Sequence, residues 1–590
     1  MNVKILWVAL IAASTAVAQQ DGLQLFQKHC AACHQTGSAT RAPLPDAMKS
    51  MTPEAVLAAL ESGSMKPQAA GLSAAVRQAL AKYIGLGARN VEQGAGMCAP
   101  DTQATSDSSY WNGWGVDFEN SRLQPTRMAG IDESNVPKLK LKWAFGFPGA
   151  NSALAQPVIV GGKMFFGSDT GTIYSVNAKT GCIYWTFKAS ATVRTAISIG
   201  AVTSGHYTLF FGDLKANVYA IDFQTGKQVW RVKVDDHPLA RITGAPKLWN
   251  QRLYVPVSSV EEVSAGNARY ECCTFRGSLV ALEGATGKQI WKSYSIPDAA
   301  APTSKNKSGT QRHGPSGGAI WLSPTIDVSR RLIYVGTGNG YSDPATKFTD
   351  AVIAFDLDSG VNKWSQQLTP GDGWNFGCSS AAGANCPEDH GPDVDIGASP
   401  ISRKGVLVVG QKSGVVYGLD PNNNGKLLWQ TRIGKGGALG GIQWGMAADD
   451  KTVFVALSDR KPGKWEEEGG LFALDILTGK KLWNTPAPKP ACLGKPNCGA
   501  AQMAPVTLIP GVAFSGSMDG HLRAYSAKDG KIIWDFDTLR EFETVNGVKA
   551  KGGSLSATGV IVVNGMAYVN SGYGALAGMP GNVLLAFAVE

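Results

Sequence analysis

The hexapeptide Thr478-Gly479-Lys480-Lys481-Leu482-Trp483 belongs to a pattern that occurs in seven copies, and that pattern restricts the fold more than any other stretch. Each copy reads as a strand, a turn carrying Gly, and a strand ending in Trp: Ser175 to Trp185, Ala220 to Trp230, Ala281 to Trp291, Ala354 to Trp364, Gly418 to Trp429, Leu474 to Trp483 and Tyr525 to Trp534. The Gly (Gly181, Gly226, Gly287, Gly360, Gly425, Gly479, Gly530) always stands four residues before the Trp. It supplies the positive φ of a tight hairpin, and the Trp is a plate large enough to fill the gap between neighbouring sheets. One hairpin per repeat, with successive Trp residues 45 to 73 positions apart, predicts radially stacked four-stranded sheets. An eighth Trp, Trp143, ends a strand with no hairpin before it, whereas the last strands, Gly559 to Val569 and Asn582 to Val589, have no Trp after them. Joining the two completes an all-β, eight-bladed β-propeller and removes the exposed sheet edges.

The chain has 590 residues, enough for a second domain besides the ring. Its net charge of +9 is spread without a dense basic run, which argues against a nucleic-acid partner. Met1 to Ala18 has the three parts of a secretory signal: Lys4, the apolar run Ile5 to Ala13, and Ala16-Val17-Ala18. That run is too short for a membrane span and no later one is long enough, so the expected location is the periplasm. Ten Cys residues suit such an oxidising compartment. Cys378/Cys386 and Cys492/Cys498 are each close enough to close a loop, Cys272 and Cys273 are adjacent, and Cys98 with Cys182 would bridge the N-terminal domain to the first blade.

Cys30-Ala31-Ala32-Cys33-His34 is the attachment pattern of a c-type haem: two thiols for the vinyl groups and His34 for the iron. Gly22 to His29 and Leu72 to Leu86 read as helices of a small all-α cytochrome c domain wrapped around that cofactor. A Met as sixth ligand raises the haem potential, as suits an electron acceptor; the candidates are Met65, in Met65-Lys66-Pro67-Gln68, and behind it Met48 and Met51. The expected organisation is signal 1–18, haem domain 19–97, linker 98–135 and propeller 136–590, with the aromatic linker stretch Trp111-Asn112-Gly113-Trp114-Gly115 lying against the propeller.

Gly317-Gly318-Ala319-Ile320-Trp321 departs from the tag, since Arg312-His313-Gly314-Pro315 and not an alternating strand precedes it. With Gly336-Thr337-Gly338-Asn339 it resembles the quinoprotein dehydrogenases, whose cofactor is pyrroloquinoline quinone (PQQ). The resemblance implies Trp321 as the floor under the quinone and Asn339 as a Ca²⁺ ligand. It also implies Glu262, with Glu261 as competitor, as the Ca²⁺ carboxylate, oxygen donors being what a hard cation takes. Thr243, Arg194 and Lys412 would bind the tricarboxylate and its quinone oxygens, and Gln443 and Gln502 stand where other members have Asn and Trp. Two features depart from the family. The adjacent pair Cys272-Cys273, which would cover the quinone, lies one blade later than usual, and the position after Gly371-Asp372-Gly373-Trp374 is Asn375, which cannot be a base. Treating the loop with Cys378 and Cys386 as an insertion assigns the base to Asp393, with Asp372 and Asp395 behind it.

A haem domain first, then this propeller with Glu271-Cys272-Cys273-Thr274-Phe275-Arg276-Gly277, resembles the quinohaemoproteins that oxidise polyvinyl alcohol. The implied reaction is oxidation of a secondary alcohol, in a polymer or another polyol, with electrons passed to the haem and on to a soluble cytochrome or the respiratory chain. An aldose dehydrogenase and a non-enzymatic propeller scaffold are the rival readings.

Overall fold

The computed structural model describes residues 22–35, 42, 45–48, 51, 53–61, 63, 65–85, 96–99, 108–203, 205–379, 383–388, 390–575 and 577–589. The signal expected over Met1 to Ala18 lies outside them. Eight antiparallel sheets follow, each with four blade strands: 158–188, 198–233, 247–294 (to which the short strand Ala240–Arg241 adds a fifth), 325–367, 401–432, 447–485, 507–537, and an eighth in which the strand Leu139–Gly146 pairs with Val583–Val589. The two chain ends thus close the ring in one blade, as the orphan Trp143 predicts.

The tag works as an interlocking device. Every tag Gly has φ between 69° and 75°. A Cβ built on each would strike the Trp ring of the preceding blade, in the pairs Trp143/Gly181, Trp185/Gly226, Trp230/Gly287, Trp291/Gly360, Trp364/Gly425, Trp429/Gly479 and Trp483/Gly530. The glycine therefore turns its own hairpin and also leaves the seat for its neighbour's indole. Trp534, last in the series, donates its Nε1–H to the Leu139 carbonyl of the closing strand at 3.1 Å. The tag strands do not end in Trp: Trp185 is the third residue of Ile183–Lys188, and a register shift follows each Trp pair. The residue across from the indole is small, Ala473 for Trp483 and Ala524 for Trp534, one position before the Leu474 and Tyr525 of the sequence reading. Gly479→Ala would combine a left-handed backbone at φ 69° with a clash against Trp429. The expected loss is about 2–4 kcal/mol, measured by urea unfolding; a loss below 1 kcal/mol would contradict the double role.

Residues 111–128, read from sequence as part of a linker, run inside the ring and hydrogen-bond to all eight blades. Trp111 pairs with Ile159, Asn112 with Ile199, and the Asp117 carbonyl accepts from Lys247. Phe118, Glu119 and Ser121 carbonyls accept from the N–H groups of Ile326, Ser402 and Ala448. Gln124 reaches Leu508 through its N–H and Val562 through its side chain. The innermost strands leave backbone groups facing the channel, and this belt satisfies them.

The N-terminal unit has a helix over 22–29, Pro53–Glu61, a short Lys66–Ala69 turn and Ala74–Ile84, whose N-terminus Ser73 caps. Phe26, Met48, Val56, Leu60, Leu80 and Ile84 form its core. Disulfides join Cys98–Cys182, Cys272–Cys273, Cys378–Cys386 and Cys492–Cys498, and Cys30 and Cys33 take part in none of them. Among the described residues no helix is long and apolar enough to cross a membrane.

Candidate active site

Antiparallel blades alternate direction, so the loop before each first strand and the loop after each second strand emerge at the same rim. Arg194, Thr243, Trp321, Asp393 and Trp444 precede the first strands of blades two to six, while Glu262, Asn339 and Lys412 follow the second strands of blades three to five. Residues more than 200 positions apart in sequence thereby share one end of the channel.

Lys412 is the junction. Its ammonium lies 5.7 Å from the centroid of the Trp321 ring, 3.3 Å from Asp393 and 3.0 Å from Asp395. Burial alone would lower its pKa, but Asp393 and Asp395 hold it raised, so it stays a cation. The other oxygen of Asp395 accepts the backbone N–H of Asn339 at 3.1 Å. The Asn339 amide nitrogen donates to the Trp374 carbonyl at 2.5 Å, which directs its Oδ1 the other way as an acceptor.

The three candidate bases separate by their bonds. Asp372 accepts the N–H groups of Asp393 at 3.0 Å and Val394 at 2.7 Å, so its carboxylate is taken up in holding the loop. Asp395 is engaged by Asn339 and Lys412. Asp393, at φ 60°, is pinned through its backbone by Asp372, with its carboxylate beside Lys412. Asp350, which sequence reasoning missed, is a fourth acid at this rim. Burial and then Asp372, Asp395 and Asp393 raise it well above the carboxylate range, and neither oxygen has a hydrogen-bond partner among the described residues.

Trp321 also lines a small, partly open pocket with Trp114, Arg194, Thr243, Trp444 and Ala557. Trp321 and Trp444 meet edge to face at 5.4 Å, and Arg194 lies 4.7 Å over the Trp444 ring. Thr243 bonds Ser258 and the Trp321 carbonyl. Arg194 and Arg241 are both half-buried; removal from water and then the charge of Arg194 push Arg241 down to about 10, and its Nε has no hydrogen-bond partner among the described residues. Two half-buried guanidiniums close to this pocket call for anions, so the donor set fits a tricarboxylate. Neither Arg241 nor Trp444 was singled out from sequence. Arg241 is two residues before Thr243, and Trp444 stands before its blade's first strand as Trp321 does before its own, which is the signal that could have found it. Gln443 and Gln502 bond within the protein, to the Gly440 carbonyl and the Tyr525 hydroxyl.

Glu262 is half-buried and its charge acts on Tyr341 and Lys412. Glu261 is fully buried and bonded to Tyr270, Thr274 and Phe275, which distinguishes the two. Among the described residues no three His, Cys, Asp or Glu side chains are grouped to hold a metal ion by themselves. Glu262 with Asn339 therefore suits a cation only with oxygens added by a bound cofactor. Cys272 and Cys273 pack in one apolar cluster with Phe275, Ala319 and Tyr341, against which Trp321 also rests.

In the N-terminal unit the N–H groups of Cys33 and His34 both reach the Cys30 carbonyl at 3.1 Å, so the motif is one tight turn. His34 is buried and Phe26 lies 6.5 Å from its ring. Burial, and then Cys33, push the Cys30 thiol up. Met48 is a core residue, whereas Met51 and Met65 are partly buried at the edge of the same cluster as Cys30. Two thiols and an imidazole on one turn, facing an apolar edge that includes thioethers, fit a covalent haem.

Comparison with known proteins agrees with this division. The family profile described as glucose/ethanol/alcohol dehydrogenase, beta-propeller domain, matches residues 111–384, which include the belt and the candidates from Arg194 to Asp372 but not Asp393, Asp395, Lys412, Gln443 or Gln502. The profile for subunit III of cbb3-type cytochrome c oxidase matches 17–84, and that for the outer membrane protein assembly factor BamB matches 412–582. Polyvinylalcohol dehydrogenase of a Pseudomonas species is 40% identical over 99% of this chain and 96% of its own. The enzyme of the same name from Sphingopyxis sp. (strain 113P3) is 40% identical over 97% and 93%. The crystal structure of quinohemoprotein alcohol dehydrogenase from Comamonas testosteroni, at 20% identity, covers 81% of this chain and 80% of its own with a TM-score of 0.61. The chain belongs to the PQQ-dependent quinohaemoprotein alcohol dehydrogenases, in the polyvinyl alcohol dehydrogenase family.

Proposed function

We propose that the protein is a periplasmic quinohaemoprotein that oxidises secondary alcohols, in polyvinyl alcohol or another polyol, and passes the electrons through its own haem c to a soluble cytochrome or the respiratory chain. The observation that carries this reading is the Lys412 ammonium, which ties Trp321, Asp393 and, through Asp395, Asn339 into one cluster at the channel rim. When bound, PQQ supplies hydride acceptance, Ca²⁺ polarises the receiving carbonyl, and haem c carries single electrons.

The chain's own residues would divide the work as follows. Trp321 offers the flat surface, Cys272–Cys273 the cover, and Thr243, Arg194 and Arg241 the grip on carboxylates. Glu262 and Asn339 supply cation oxygens. Asp393 accepts the alcohol proton as general base, with Asp372 holding its backbone and Lys412 balancing its charge. Cys30, Cys33, His34 and Met65 hold the haem in a unit of about residues 19–97, after removal of 1–18. Apart from Trp444, the rim residues fall between Arg194 and Lys412, of which only Lys412 lies in the part that matches BamB, which favours an enzyme over a scaffold.

The test is to reconstitute the purified full chain with PQQ and Ca²⁺, add 2-propanol, polyvinyl alcohol or glucose, and follow the reduced haem band. Reduction by the first two is expected. Reduction by glucose alone would favour the aldose reading, and a haem that stays oxidised with every alcohol would sink the dehydrogenase.

A further inference from the structure

The short helix Glu261–Ser264 carries two adjacent carboxylates that face different surroundings. The charge of Glu262 acts on Lys412 and Tyr341. Glu261 has 0% exposure, and its oxygens accept from the Tyr270 hydroxyl at 2.9 Å, the Thr274 N–H at 2.9 Å and the Phe275 N–H at 2.8 Å. His237 completes the set. Its Nδ1 accepts the Leu239 N–H at 3.2 Å, which puts the proton on Nε2, 3.2 Å from Thr274 Oγ1 and 3.4 Å from Glu261. The loop held in this way bears Cys272–Cys273, whose backbone also exchanges hydrogen bonds with His313 at 2.7 and 3.2 Å. A fully buried carboxylate is stable only while its donors stay in place, so the bonds fix the loop as firmly as they fix the acid.

We propose that Glu261 is a positioning residue: it ties the loop bearing Cys272–Cys273 to the helix turn that presents Glu262, so that the cation ligand and the cover over the cofactor are set by one buried carboxylate. This rests on the cation role of Glu262 proposed above. An amide at 261 keeps the size but offers one acceptor and two donors to partners that are themselves donors, so the helix and loop separate.

The experiment titrates Ca²⁺ into the PQQ-loaded, cation-depleted full chain, with calorimetry and quinone absorbance as readouts. Glu261→Gln is expected to weaken Ca²⁺ binding about 10–100-fold, the usual effect of losing a group that orients a metal ligand. Tyr270→Phe, which removes one donor only, should weaken it by a smaller factor, and it decides the matter if Glu261→Gln does not fold by near-UV circular dichroism. Wild-type Ca²⁺ affinity in a folded Glu261→Gln chain, or in Tyr270→Phe when that variant decides, would overturn the proposal. Glu262→Gln separates the two readings. If it leaves Ca²⁺ affinity unchanged, the cation site itself is misassigned. If it abolishes binding while Glu261→Gln leaves Ca²⁺ affinity at the wild-type value, only the positioning role fails.

Discussion

Asp393→Asn should lower kcat by about 10²–10⁴-fold, the range for loss of a general base, while PQQ and haem remain bound. The amide keeps the shape and can still accept from Lys412, but it cannot take the alcohol proton. Stopped-flow reduction of the haem with 2-propanol reads the step directly, and the quinone absorbance reads occupancy. Asp372→Asn is the internal control. Its carboxylate accepts from the N–H groups of Asp393 and Val394 and so holds the loop, and the amide variant should lose less than Asp393→Asn. A reversed order would assign the base to Asp372, and a fast Asp393→Asn enzyme would remove Asp393 from the mechanism.

Arg122→Ala should cost about 3–5 kcal/mol, as expected when several buried acceptors lose their donor and a cavity is left behind. The guanidinium has 0% exposure and no carboxylate partner among the described residues. Its Nε donates to the Val506 carbonyl at 2.7 Å, its terminal nitrogens to Trp114, Gln156 and Thr507 at 2.6 to 2.9 Å, and Trp111 and Trp114 lie 5.4 and 4.8 Å away. Burial pushes it down to about 9, so it remains charged at neutral pH. Losing it would strip donors from blade seven and release the belt residue Trp114, which lines the pocket with Trp321. Urea unfolding followed by Trp fluorescence checks the magnitude. Unchanged stability would mean that the belt is not a shared brace for the blades.

The reach of the sequence varied with the range of the interaction. The hairpin turn and its indole lie four residues apart, so blade number and the closing of the ring by Trp143 could be counted from the chain. The haem motif is local for the same reason. The belt could not be counted: Trp111 to Gln124 has no periodicity, and its partners are backbone groups scattered over some 400 residues. The choice between Glu261 and Glu262 was equally closed to sequence, because neighbouring carboxylates differ only in what the fold brings to each.

What the sequence determined by itself was the repeating unit, the attachment turn for the haem and the residue types at the channel rim, since each follows from short-range sterics or from chemistry carried by a few adjacent side chains. The tertiary structure alone decided which acids stand beside Lys412, which arginine joins Arg194, and that the tag glycine seats a neighbour's indole. Those outcomes depend on contacts between segments far apart in the chain, which exist only once eight blades have closed on one axis.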